Sequence, residues 1–186
     1  FKAGGIHCGI RKNKDKKDFA LIVSDVPCAA AGVFTQNLVK GAPVLVTKRN
    51  IANGVAQAVI CNSGNANTCN KDGEEVAEKM CALVTKVAGI NSSDVIVAST
   101  GVIGLPLDIT PMANAIGELY SSLSLNSDSA AEAIMTTDTV PKSVAVEFEL
   151  GGKTCRIGAI AKGVGMICPN MATTLIFITT DVSISS

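Results

Sequence analysis

Strand-like runs outnumber helical ones in this chain, and the two kinds do not alternate strictly. Residues 19–24, 43–47, 55–61 and 94–99 are short apolar runs rich in Val, Ile and Ala, and they read as strands. Residues 142–150 alternate apolar and polar side chains. Gly151 and Gly152 then turn the chain into residues 153–160, which makes a β-hairpin. Three stretches carry helical signals. Asp72 can cap a helix through about Ala88, with Glu74 and Glu75 in the first turn, where the helix dipole favours acids. Val76, Met80, Leu83, Val84 and Val87 recur at helical spacing, and Gly89 ends the run. A second helix starts at Thr110 with Pro111 in the first turn, and Met112, Ile116, Leu119 and Leu123 form its stripe. A third, shorter one covers residues 128–135. This order predicts an α/β layered fold with mixed sheets rather than a doubly wound dinucleotide binder. No GxGxxG or Walker pattern supports nucleotide binding.

The 186 residues fit one domain, or one large part of a bigger one. Hydrophobic residues make up 47% and charged ones only 17%. That surplus of apolar material predicts surface that pairs with further protein. A net charge of zero leaves no electrostatic footprint for nucleic acid. The basic run at 11–17 is short and interrupted, and reads as a solvated turn between strands. The seven cysteines, Cys8, Cys28, Cys61, Cys69, Cys81, Cys155 and Cys168, include no CxxC pair, which argues against zinc and any metal site. Most sit among Ala, Val, Ile and Gly, as reduced core cysteines do, and this favours the cytoplasm. No apolar run approaches the roughly 20 residues that span a bilayer, so no membrane role is expected. No signal-peptide pattern is present. The chain opens at Phe1 rather than Met, so residues are expected to precede it.

Chemistry concentrates in residues 161–181. The first part is rich in Gly and Pro with one lysine, Lys162. The second, residues 175–178, is wholly apolar and reads as a strand buried on both faces. A turned loop therefore delivers Thr173 to the mouth of a core strand. A threonine hydroxyl alone is a poor nucleophile. If the bond before it were cut, its own α-amine, with a pKa of about 8, could act as its base. By pattern alone the stretch is equally a plain loop leading into a strand. Residues 99–104 likewise read as a strand-ending turn, and residues 135–142 as a helix end leading into a proline turn. The sole histidine, His7, falls in the N-terminal strand pattern and reads as structural, which leaves no His-dependent triad.

The segment Lys162–Thr173 resembles the autoprocessing site of the ornithine acetyltransferase family, the bifunctional glutamate N-acetyltransferases of arginine biosynthesis. In that family a Lys-Gly-x-Gly-Met-Ile-x-Pro-Asn-Met-Ala-Thr segment is cut between Ala and Thr. Here Val164 and Cys168 occupy the variable positions. Ser99, Thr100, Gly101, Val102, Ile103 and Gly104 are similar to the family's oxyanion-hole segment. Met135, Thr136, Thr137, Asp138 and Thr139 are similar to a segment where a threonine binds substrate. Gly4 to Gly9 resemble its N-terminal strand. Asn62, Ser63, Gly64, Asn65, Ala66 and Asn67 resemble its Asn/Gly-rich loop, which lines the site or is turn chemistry alone. The resemblance runs in order along essentially the whole chain.

The resemblance implies a layered α-β-β-α, N-terminal-nucleophile-type architecture that cuts itself at Ala172–Thr173. Residues 1–172 would be the α-chain, and 173–186 the first strand of a β-chain whose remaining ligands lie beyond Ser186. It implies that Thr173 is the nucleophile, that Thr100 and Gly101 form the oxyanion hole, and that Thr139 and Lys162 bind substrate with Thr173. The reaction would move an acetyl group from N-acetylornithine to glutamate, with acetyl-CoA an additional donor in many members and no cofactor. The assembly would contain two α and two β chains. The rival readings are an N-terminal-threonine aminopeptidase or amidase of the same architecture, and a non-catalytic binding subunit.

Overall fold

The computed structural model describes residues 1–163, 165, 171 and 174–185. Two sheets and four helices make up the described chain. The first sheet holds β1 (Lys2–Ile6), β2 (Phe19–Ala29), β3 (Val55–Asn65) and β4 (Val95–Val102), side by side in that order. β1, β2 and β3 pair antiparallel, while β3 and β4 are parallel. A parallel pair needs a long crossover, which α2 (Gly73–Ala88) provides. The second sheet is antiparallel: β5 (Lys142–Leu150), β6 (Lys153–Lys162) and β7 (Leu175–Thr180). The remaining helices are α1 (Ala42–Asn50), α3 (Thr110–Ser121) and α4 (Asp128–Ala133). The α/β architecture is the expected one, and the first sheet is mixed.

One face of the first sheet buries Phe19, Leu21, Ile60, Val95 and Val97 against Val46 of α1, Val76, Met80 and Val84 of α2, and Met112, Ile116 and Leu119 of α3. The helical stripes of α2 and α3 are those the spacing predicts. Gly89 ends α2 at φ 70°, a left-handed conformation that favours glycine. Asp72 precedes α2 but makes no side-chain cap bond.

The other face is floored mostly by small side chains, Ala3, Ala20, Cys61 and Ala98, beside Ile22 and Val59, and takes α4 together with Ile160, Leu175 and Phe177 of the second sheet. α4 is alanine-rich on its buried side, with Ala130, Ala131 and Ala133 fully covered. A Cβ on Gly5 would lie 2.1 Å from the Ser129 carbonyl oxygen, so only glycine lets β1 and α4 touch.

Four expectations are corrected. Residues 43–47 are helical, in α1. A five-residue apolar run fits either period, and three features favour helix. Pro43 sits in the first turn, Lys48 and Arg49 in the last, and the buried Pro43, Val46 and Thr47 have i, i+3, i+4 spacing. The helix also covers the exposed edge of β4. Thr47 Oγ1 donates to the Val97 carbonyl at 2.7 Å and accepts from the Val97 N–H at 2.9 Å. Asn50 Nδ2 donates to the Val95 carbonyl at 2.8 Å. Second, Asn62 to Asn65 are the end of β3, not a loop. Third, His7 lies past the end of β1, where its Nδ1 is 2.9 Å from the Lys16 carbonyl. Fourth, β7 is covered on one face only: Leu175 and Phe177 point inward, whereas Ile176 and Ile178 are 58% and 68% exposed. With Val144, Val146 and Ile157 they form an apolar outer face on the second sheet.

Thr47→Val keeps the volume but leaves both Val97 backbone groups unpaired at a buried edge. It should lower unfolding free energy by roughly 1–3 kcal/mol, read as a lower denaturant midpoint with an unchanged slope.

Candidate active site

The parallel strands β3 and β4 end together, with Ser63 opposite Thr100 and Gly64 opposite Gly101. Both glycines have positive φ, 109° and 134°. A Cβ on Gly101 would sit 2.3 Å from the Gly64 carbonyl carbon and 2.6 Å from the Asn65 nitrogen. The two backbones therefore approach more closely than any side chain permits. Thr100 is 3% exposed and sits beside this crossing.

The asparagines beyond it are engaged with backbone. Asn65 Nδ2 donates to the Leu105 and Pro106 carbonyls, and its Oδ1 accepts from the Asn67 N–H. Asn67 Nδ2 donates to the Gly73 carbonyl, and Asn62 Nδ2 to the Asn65 carbonyl. These amides fasten the strand ends to the start of α2 and to the 105–106 turn. Asn62 Oδ1 is buried and has no hydrogen-bond partner among the described residues, so both readings of this segment stay open.

Above the strand ends lies the β1–β2 loop. Asp18, fully buried, accepts the N–H groups of Cys8, Gly9 and Arg11 at 2.6, 3.3 and 2.8 Å. That carboxylate curls the loop and brings the Arg11 stem over Gly64, 3.0 Å from where a Cβ would stand. The Arg11 guanidinium then donates to the Thr136 carbonyl at 3.2 Å. The basic run at 11–17 is thus a turn between strands, but its first residue reaches across to the 136–139 turn.

That turn meets the end of β6. Asp138 Oδ1 accepts from the Gly163 N–H at 2.8 Å and from Lys142 Nζ at 2.6 Å, and Oδ2 accepts from the Thr136 N–H at 3.4 Å. Burial would raise the Asp138 carboxyl, but these donors outweigh it and hold its pKa at about 2. Lys162, beside Gly163, is 2% exposed. Its ammonium donates to the Gly163 carbonyl at 2.7 Å. Burial pulls its pKa below the ordinary lysine value. Asp138 and Cys61 pull it up, and Lys142 and Arg11 push it down. Burial pushes the Cys61 thiol up to about 12 even with Lys162 near, so it stays a neutral thiol rather than a nucleophile.

The structure therefore brings Lys162 against the 136–138 turn and sets Thr100 and Gly101 against Gly64, with Arg11 joining the two groups. Lys162 pairs in register with Leu175, two residues past Thr173. Thr139 is exposed. Thr137 is exposed as well, its hydroxyl 2.8 Å from where a Cβ of Gly165 would be. Ala172 and Thr173 lie outside the described residues. Among the described residues, no group of three or more His, Cys, Asp and Glu side chains is arranged to hold a metal ion. Two surface hollows, one lined by Phe34, Lys48 and Ile51 and one by Leu38, Leu45 and Glu75, lie on α1 and its flanks, not at these residues. Sequence reasoning passed over Arg11, Asp18 and Asp138. Arg11 falls in the basic run and Asp138 in the 135–139 segment, but neither reading gave them a role, because most of their partners are backbone groups brought in by folding.

Comparison with known proteins bears on this arrangement. A model of the ArgJ family matches residues 2–186. The chain is 50% identical to the arginine biosynthesis bifunctional protein ArgJ of Symbiobacterium thermophilum, covering 100% of this chain and 47% of that protein. It is 47% identical to the glutamate N-acetyltransferase of Methanocaldococcus jannaschii, over 99% of this chain and 46% of that one. The chain thus spans about half the length of the curated relatives it matches. Among solved structures it resembles the arginine biosynthesis bifunctional protein of Bacillus halodurans, with TM-score 0.84 and 40% identity, covering 89% of this chain and 87% of that one. It also resembles the ornithine acetyltransferase of Mycobacterium tuberculosis complexed with ornithine, with TM-score 0.76 and 34% identity over 90% of each.

Gly101→Ala adds a side chain where none fits and should destabilise the fold by about 2–4 kcal/mol. Gly117→Ala, on the open face of α3, should be neutral or slightly stabilising. Thermal melts of the two variants, compared with the parent, test the contrast.

Proposed function

This chain belongs to the ArgJ family, and from that premise we propose that it is the α part, with the start of the β part, of a self-cleaving acetyltransferase. The acetyl group passes from N-acetylornithine to glutamate through an acetyl ester on Thr173. The carrying observation is Lys162. A buried ammonium, with Arg11, Lys142 and Asp138 near it among the described residues, stands at the strand end paired with Leu175, which follows Thr173 by two positions in the sequence. Such a group suits a substrate that carries carboxylates. The names of the relatives support the substrate class, and none supports the amidase reading.

In maturation the Thr173 hydroxyl attacks the Ala172 carbonyl. The C–N bond breaks as the acyl group moves to oxygen. Water then hydrolyses the ester, leaving the Ala172 carboxylate and a free Thr173 amine. In turnover that amine takes the proton as the hydroxyl attacks the acetyl carbon of N-acetylornithine. Thr100 and Gly101 stabilise the oxyanion. Ornithine leaves, and the glutamate amine attacks the acetyl ester to give N-acetylglutamate and free Thr173. Thr139 and Lys162 hold the substrates. These steps need no metal or cofactor.

The cut falls between β6 and β7, two paired strands, so both chains stay joined after it. The β part continues beyond Ser186, and its helices cover the apolar outer face of β5–β7 as the fourth layer of an α-β-β-α stack. The assembly is α2β2. Support for a separate β part, though not for the number of chains, comes from two lengths: the chain covers 46–47% of curated relatives but 87–90% of the solved chains it resembles. A cytoplasmic location is part of the same reading. It is supported by the six free cysteines among the described residues. No helix there is long and apolar enough to cross a membrane.

Intact mass of the full-length product should show two chains that meet at Ala172–Thr173, and incubation with N-acetylornithine should add one acetyl group to the second. Thr173→Ala should remain a single chain and lose transfer altogether; transfer surviving in that variant would overturn the assignment. Lys162→Met should raise KM for both substrates roughly tenfold or more while affecting kcat less. A lysine with a lowered pKa loses its charge, as pH rises, below the ordinary lysine range. The parent's kcat/KM should therefore fall on the alkaline side, and Lys162→Met should lack that limb.

A further inference from the structure

Asp138 takes no part in the chemistry above, yet it is the most constrained acid of the second sheet's entrance. Its side chain is 3% exposed. It accepts two backbone N–H groups from segments 27 residues apart, Thr136 and Gly163, and the Lys142 ammonium. A buried carboxylate with three donors is stable as an anion, and its removal would leave those donors without a partner. One of them, the Gly163 N–H, belongs to the residue whose carbonyl accepts from Lys162. The carboxylate therefore holds the N–H of the residue whose carbonyl holds the lysine.

We propose that Asp138 is the positioning residue for Lys162: it pins Gly163 beside the lysine and sets a fixed negative charge behind the ammonium. This rests on the reading of Lys162 as the substrate cation. Among the described residues, the charged and titratable groups that act on Lys162 are Asp138, Cys61, Lys142 and Arg11. Cys61 is neutral at working pH, and Arg11 and Lys142 are cations. Asp138 alone in this group favours the protonated lysine. Lys142 is tied to Asp138 by an ion pair, and its push on Lys162 is weaker than the pull of Asp138. The device favours the charged form of a nearly inaccessible lysine, against which burial acts.

Two variants separate the parts. Asp138→Asn keeps an oxygen that can accept from Gly163 but removes the charge. Asp138→Ala removes both. The mature full-length enzyme, labelled with 13C at lysine Cε, is titrated by NMR, and the Lys162 resonance is identified by its absence in Lys162→Met. The lysine midpoint should move to lower pH in Asp138→Asn, because removing a nearby anion disfavours the cation. The alkaline limb of kcat/KM should move in the same direction. KM for glutamate should rise roughly tenfold with a smaller change in kcat, and more in Asp138→Ala. A purely structural role would lower stability and activity without moving the lysine midpoint. An unchanged or raised midpoint in Asp138→Asn overturns the proposal even if Asp138→Ala fails to fold. Failure of the functional reading looks different: a Lys162→Met enzyme with parental KM and an intact alkaline limb.

Discussion

The two sheets meet over a floor of mostly small side chains, and the geometry of the candidate site depends on that floor. Ala3, Ala20, Cys61 and Ala98 project from the first sheet, with α4 contributing Ala130, Ala131 and Ala133. Larger residues would hold the layers apart. With small ones, α4 touches β1 at Gly5, and the end of β6 comes near enough for Lys162 to feel the Cys61 position. Close packing of this kind admits little rearrangement. The lysine is therefore buried as a consequence of how the layers fit, and its charge needs support from neighbours.

That support is supplied by backbone more than by side chains. Asp18 gathers three N–H groups of the β1–β2 loop, and Asp138 gathers two from the 136–163 junction. Each carboxylate fixes a loop that would otherwise have no regular hydrogen bonding. Arg11 links the two loops through the Thr136 carbonyl. Asn62 and Asn65 of β3 and Asn67 just beyond it act in the same way at the opposite side, engaging carbonyls at 65, 73, 105 and 106. A site assembled from strand ends and turns is held rigid by such polar ties, which suits chemistry that requires positioned groups.

Much of the fold was legible beforehand. The β5–β6 hairpin falls at the expected residues because strict alternation and a Gly-Gly turn leave one register. α2 and α3 follow from their stripes. The helix at 42–50 was not legible, since a run of Pro, Val and Leu carries no period and the decisive contact, Thr47 with Val97, joins residues 50 apart. The expectation that β7 is covered on both faces failed for a related reason. Its apolar residues read alike, and only the pairing with β6 shows that Ile176 and Ile178 face away from the first sheet.

The sequence by itself determined the family, the layered α/β class, the helical stripes and the segments that carry chemistry. These are local properties: spacing, turn residues and a motif twelve residues long. Tertiary structure alone decided which of those segments meet. It set Gly64 against Gly101, brought Arg11 to the Thr136 turn, and made Asp138 the partner of Gly163. Those contacts join residues 25 to 125 positions apart. Their partners are mostly backbone groups, which look the same at every position of a sequence. Only the folded chain can tell one carbonyl or N–H from another.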